Sequence, residues 1–146
     1  FKATLYENIS IGRLHVTKEK VLEVIKVVGL SDFIESLPEG MNTVLLSEGK
    51  NLPKSIKLKI ILARSIAGTP RLLLLEDNFK QLSDFDKGRF LNYIFSEDKK
   101  WTIIAVSNDR EIASKFDKVL VLNQGKQIGF DSLSNLAKES WFNKIF

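Results

Sequence analysis

Four leucines in a row, residues 72–75, end abruptly in two acids, Glu76 and Asp77. The run is far shorter than the roughly 18 apolar residues that a membrane helix needs. It is also too continuous for a strand with one wet face. It predicts a short strand buried on both faces, of the parallel type, that delivers two carboxylates at its end. A second such strand is predicted over residues 101–106, and helical patterns lie before, between and after the two. Strands that alternate with helices imply an α/β layered fold. The chain has 146 residues, 44% of them hydrophobic, which suits one domain or a piece of one. It starts at Phe1 rather than Met, with no apolar run after a basic start, so its opening reads as interior and not as a signal peptide.

The helical patterns come with punctuation. Residues 17–29 carry Val21, Leu22, Val24, Ile25 and Val28 at helical spacing, with Thr17 as N-cap and Gly29 as terminator. Ser31 is placed to cap a short helix through Leu37, before a turn at Pro38-Glu39-Gly40. Residues 55–60 alternate like a strand, yet Ile56, Ile60, Ala63 and Ala67 keep helical spacing, and periodicity alone leaves both readings open. Pro53 suits the first turn of a helix. Residues 83–95 predict a helix, with Ser83 and Asp86 as a capping-box-like pair. Gln124-Gly125 between two apolar runs predicts a hairpin, and Asp131 is placed to cap a final helix bearing Leu133, Leu136, Trp141 and Phe142.

Composition excludes several chemistries. There is no Cys, so disulfides and thiolate metal sites are out. The single His, His15, has no nucleophile motif to serve, and a surface or packing role is expected of it. A net charge of +4 permits anionic partners without requiring them. Lys54, Lys57 and Lys59 cluster, but no stacking aromatics or helix-turn-helix signature join them, so a nucleic-acid module is only a minor alternative.

Phe1-Lys2-Ala3-Thr4-Leu5-Tyr6-Glu7-Asn8-Ile9, Ser36-Leu37-Pro38-Glu39-Gly40-Met41-Asn42-Thr43-Val44, Ala63-Arg64-Ser65, residues 72–77, Thr102-Ile103-Ile104 and residues 117–125 occur in that order. Together they resemble the C-terminal part of the nucleotide-binding domain of export-type ABC transporters. The resemblance implies a partial P-loop NTPase (ABC ATPase) core with its helical subdomain, lacking the N-terminal phosphate-loop part. The helical subdomain falls at about 10–68, and core strands and C-terminal helices at about 69–146. It favours the helical reading of residues 53–67. No G-x-x-x-x-G-K-[ST] occurs, so ATP and Mg²⁺, the cofactors implied, are not held in the usual way by these residues alone.

The same resemblance assigns positions, and the chemistry at each is altered. The family's signature opens a helix with Ser and glycines against the γ-phosphate of the opposite subunit. Here Pro53, Lys54 and Ser55 stand there, so a hydroxyl and an N–H are lost and side chains fill the space of close approach, although Lys54 still offers a point charge. The family's metal-binding Asp and water-orienting Glu correspond to Glu76 and Asp77, the two acids exchanged. One carboxylate is about a methylene too long and the other too short, and displacements on the order of 1 Å cost roughly a hundredfold in rate. The switch histidine falls at Asn108, which transfers no proton near neutral pH. Asn108 also has a plain reading as N-cap, with Glu111 three residues on.

The implied function is a degenerate ATP-binding domain of a membrane exporter at the cytoplasmic face of the cell membrane. It would pair with a second nucleotide-binding domain and with membrane domains. The alternative is a slow ATPase that uses Glu76 and Asp77. A core sheet without its phosphate-loop strand also predicts that the isolated chain dimerises or rearranges.

Overall fold

The structure is a computed structural model that describes residues 2–76 and 78–145; Phe1, Asp77 and Phe146 lie outside the described residues. The chain forms two compact units, Phe1–Ile104 and Ala105–Phe146.

The first unit is mainly helical. Strand β1 (Ala3–Thr4) pairs antiparallel with β2 (Val44–Leu45), Ala3 opposite Leu45. Helix α1 (Leu5–Ser10) opens with a reciprocal cap: Glu7 N–H donates to Thr4 Oγ1 at 3.1 Å and Thr4 N–H donates to Glu7 Oε2 at 2.8 Å. Helix α2 (Lys18–Val28) has Thr17 as N-cap and ends at Gly29 in the left-handed region, φ 72°, as its sequence predicts. Helix α3 (Ser31–Glu35) follows, then α4 (Lys54–Ala67) and α5 (Asp84–Ile94). Helix α2 packs on α4 and α5, and α1 packs on α4. Leu5, Ile9, Val21, Val24, Leu30, Ile66, Phe90 and Ile94 fill the centre, all but fully buried.

One charged cluster ties these helices together. Asp86 on α5 takes Lys59 of α4 at 2.7 Å and Arg89 at 2.5 Å. The two cations also reach the end of α2: Lys59 Nζ donates to Gly29 O at 3.0 Å, and Arg89 Nε to Val27 O at 2.9 Å. Those carbonyls close a helix whose C-terminus carries partial negative charge, so cations belong there. Any Cβ at residue 29 would run into Arg89 and Asp86, so glycine is required by space as well as by φ. A second link joins the same helices: Tyr93 O–H donates to Glu23 Oε1 at 2.7 Å, and Lys20 Nζ to Tyr93 Oη at 2.8 Å.

Strand β3 (Leu72–Glu76) forms where the leucine run predicts it and pairs with β4 (Thr102–Val106). It is not buried on both faces. Leu73 and Leu75 are 3% and 9% exposed, but Leu72 and Leu74 are 50% and 67% exposed. Strand β4 likewise alternates between exposed and half-buried positions. One side of β3 is therefore buried and the other is open. Two smaller corrections concern caps. Leu30 holds the N-cap position of α3, Ser31 is already helical, and the helix stops at Glu35. Pro53 is the N-cap of α4 rather than part of its first turn.

The second unit contains α6 (Arg110–Ala113), the hairpin β5 (Val119–Asn123) and β6 (Lys126–Asp131), α7 (Leu133–Leu136) and α8 (Phe142–Ile145). Asn123 pairs with Lys126, and both turn residues have positive φ, 49° at Gln124 and 76° at Gly125. That is the sign pattern of the type I′ turn, whose twist matches paired strands. Val121, Leu136 and Phe142 form the small core, with Ile128, Leu133 and Trp141 against it. The predicted final helix is split in two. Its cap is Ser132, whose hydroxyl accepts from Asn135 N–H at 3.3 Å. Asp131 instead bonds Lys118 at 2.9 Å, Ser132 N–H at 2.7 Å and the Asn135 amide at 3.2 Å, contacts that hold its carboxyl down at about 2.

For Asp86, burial pushes the carboxyl up, but bonds from Lys59 and Ser83 and the charges of Lys59 and Arg89 outweigh it, and the net shift is downward. A depressed folded value gives stability that is present above the unfolded carboxylate pKa, about 3.9, and is lost as pH falls through the folded value. Urea unfolding midpoints are therefore expected to hold from pH about 7 to 5 and fall below about 4, with a shallower fall in Asp86→Asn. At neutral pH, Asp86→Ala leaves Lys59 (13% exposed) without its carboxylate. A loss of about 3 kcal/mol is expected in the same assay.

Candidate functional site

The start of α4 is built by a tight approach. Residues 47–49 form a 3₁₀ turn in which Glu48 and Gly49 both have positive φ, 60° and 58°. Leu52 N–H then donates to Gly49 O at 2.9 Å, which folds the chain back into Pro53. Pro53 is extended, ψ 148°, and provides no side-chain acceptor to the helix; the first α4 bond runs from Lys57 N–H to Pro53 O at 3.0 Å. The amides of Lys54, Ser55 and Ile56 thus open an uncapped 14-residue helix, where the helix dipole favours an anion. Lys54 is exposed and adds a full positive charge; Ser55 is half-buried. These groups fit a terminal phosphate held mainly from elsewhere.

Glu76 ends β3 with an exposed side chain, and Asn78 N–H closes a turn onto its carbonyl at 2.9 Å. The chain passes into a 3₁₀ turn, Phe79–Gln81, which packs on α4. Phe79, 4% exposed, anchors that turn, its ring 6.0 Å from that of Phe90. Among the described residues no three His, Cys, Asp or Glu side chains gather into a metal site. Glu76 offers one carboxylate, which suits Mg²⁺ in its usual mode of one or two carboxylates with phosphates and retained waters.

Asn108 belongs to the second unit. It is exposed and does not cap α6. Asp109 is the N-cap: its carboxylate accepts from Glu111 N–H at 2.8 Å, and its own N–H donates to Ser107 Oγ at 2.9 Å. The serine hydroxyl turns the chain one residue later than the sequence predicts, and an aspartate caps as well as an asparagine. His15 is exposed. Of the three clustered lysines, Lys59 is committed to Asp86 and Gly29, so they do not form one free basic face.

Sequence reasoning assigned no role to Asn8 and Arg64. Asn8 is 2% exposed, and its amide donates to Ala3 O and Thr4 O at 3.1 and 3.0 Å. Arg64 Nε donates to Asn8 O at 2.7 Å and Nη2 to Asn8 Oδ1 at 3.2 Å, which ties α4 to α1. Burial, and then the nearby charge of Arg13, lower the Arg64 pKa. Both residues line a cavity of about 180 Å³ with Leu46, Leu52 and Ile61. Their only signal was that each lies inside a motif quoted above.

No protein-family model matches the chain. The chain is 28% identical over 144 residues, 98% of its length, to the multidrug resistance-like ATP-binding protein MdlB of Buchnera aphidicola subsp. Acyrthosiphon pisum. It is 29% identical over 144 residues, 99% of its length, to YfiB of Bacillus subtilis, an ABC transporter ATP-binding protein. It spans 25% of each relative. Among solved structures, a bacterial Atm1-family ABC exporter with ATP bound matches with a TM-score of 0.86 and 25% identity, over 99% of this chain and 26% of that one. The α/β fold is that of a partial ABC ATPase domain. By sequence and fold alike, the chain is similar to part of ABC exporter ATP-binding/permease proteins, consistent with a fragment of their nucleotide-binding domain. Among the described residues no helix is long and apolar enough to cross a membrane.

The cap assignment is testable. Asp109→Ala is expected to cost about 1 kcal/mol, and Asn108→Ala less than about 0.5 kcal/mol, in urea unfolding of the chain.

Proposed function

We propose that this chain is the C-terminal part of a nucleotide-binding domain in a membrane exporter, and that the half-site it contributes hydrolyses ATP slowly or not at all. Support comes first from the start of α4, where Pro53 caps without an acceptor and Lys54 and Ser55 follow. This surface keeps the attraction for a terminal phosphate but not the hydroxyl and close backbone approach that discriminate a transition state. Glu76 and Asp77 exchange the usual order of acids, Asp77 being read from sequence alone. Asn108 takes no proton.

In this reading residues up to about 68 are the helical subdomain and the rest are core strands and terminal helices. ATP with Mg²⁺ lies between this surface and a second nucleotide-binding domain. If Mg²⁺ were bound it would supply charge neutralisation on the phosphates; Glu76 would be the carboxylate of this chain placed to hold it, and Lys54 and the α4 amides would meet the phosphate end of the nucleotide that the opposite subunit binds. Nucleotide binding is coupled to membrane domains, with the chain at the cytoplasmic face of the membrane. One relative, from Rickettsia typhi, is named as an export ATP-binding/permease protein, which supports a membrane-domain partner.

The test uses the protein that carries this chain, purified with its membrane domains. ATP is expected to bind, with phosphate release at least tenfold slower than in a variant that combines Glu76→Asp, Asp77→Glu and Asn108→His. Fast release in the parent, lost on Asp77→Asn, would replace this reading with a working ATPase of adapted geometry.

A further inference from the structure

The second unit holds a cavity that none of the nucleotide chemistry uses. It measures about 390 Å³ and lies between α6, α7 and Phe142. Phe116, Leu133, Ala137 and Phe142 give it an apolar floor. Phe142 is 3% exposed, so that floor is part of the fixed core of the unit. Arg110 and the hydroxyls of Ser114, Ser132 and Ser134 provide the polar part of the lining, and no acidic side chain takes part.

Arg110 is held in place without being neutralised. Its guanidinium stacks over the Phe142 ring at 4.9 Å, and Nη2 donates to Asn143 Oδ1 at 3.0 Å. Stacking and one hydrogen bond fix the plane of the group and leave most of its five donors unused. Among the described residues it forms no ion pair, although Asp109 and Glu111 flank it in the chain; Asp131, which adjoins Ser132 of the lining, is bound to Lys118 and Asn135. The serines are partly engaged: Ser114 Oγ donates to Glu111 O at 2.7 Å, and Ser132 and Ser134 hydroxyls pair at 3.0 Å.

We infer that this cavity binds a small amphipathic monocarboxylate, an alkyl or aryl acid, with its carboxylate on Arg110 and its apolar body against Leu133 and Phe142. A planar guanidinium with parallel N–H groups matches a carboxylate in two-pronged fashion. The volume lies in the range of small-molecule pockets, which are mostly apolar with few polar anchors. Inorganic phosphate would meet the guanidinium but leave the apolar floor wet. A neutral alcohol would cover the floor but leave Arg110 unmatched. The ligand chemistry named here satisfies both.

The probe is sodium octanoate, titrated into the full 146-residue ¹⁵N-labelled chain and followed by amide chemical shifts. Saturable shifts confined to residues 110–142 are expected, at least tenfold weaker with octanol or phosphate, and weakened further by salt. Arg110→Gln should weaken octanoate at least tenfold. Ala137→Leu, which keeps Arg110 and fills the floor, should do the same, with far-UV circular dichroism confirming that both variants stay folded. If Arg110→Gln alone unfolds, Ala137→Leu decides. Octanoate shifts that are absent, spread over both units, matched by octanol or unchanged in the folded variants would overturn the proposal.

Discussion

The C-terminal end of α2 is the point on which the first unit turns. Its last carbonyls are partially negative, and they lie against two other helices rather than in water. Left unmet, they would cost the desolvation of each group. Lys59 and Arg89 answer them from two directions, and Asp86 balances the charge that the cations bring in. An arrangement of this kind adds little net stability against an apolar replacement, but it admits few alternative packings. It fixes the mutual placement of α2, α4 and α5, and so fixes the helix whose first turn is the candidate phosphate surface.

That placement explains why the departures at the candidate site are compatible with folding. Pro53 has no amide N–H, but at the N-cap of α4 the helix ladder needs only its carbonyl, which Lys57 N–H reaches. Asn108 is exposed, away from any buried network, so the residue there is free to vary without strain. Glu76 is the last residue of a strand whose hold on the core is through Leu73 and Leu75. Chemistry and architecture are borne by different side chains, so the first can be lost while the second persists.

Local patterns carried most of the fold. Thr17, Gly29 and the apolar spacing between them determine α2 because caps and periodicity are properties of neighbouring residues, and Gln124-Gly125 determines the hairpin for the same reason. Failures came where the deciding partner is distant or the choice is between adjacent residues of similar chemistry. Nothing in four leucines says how many layers will cover them. Asp109 outcompetes Asn108, and Ser132 outcompetes Asp131, by one residue of backbone phase. The bond between Arg64 and Asn8 joins positions 56 residues apart and leaves no periodic trace. The candidate site was legible only through motif order, because its residues are ordinary in composition.

The outward side of β3 has a consequence for how the chain lives in a cell. Leu72 and Leu74 present bare hydrocarbon on a strand of only five residues, next to backbone edges able to accept another strand. A surface of that kind favours self-association wherever it is left uncovered. How readily the chain stays dispersed in water therefore depends on how completely that side is covered.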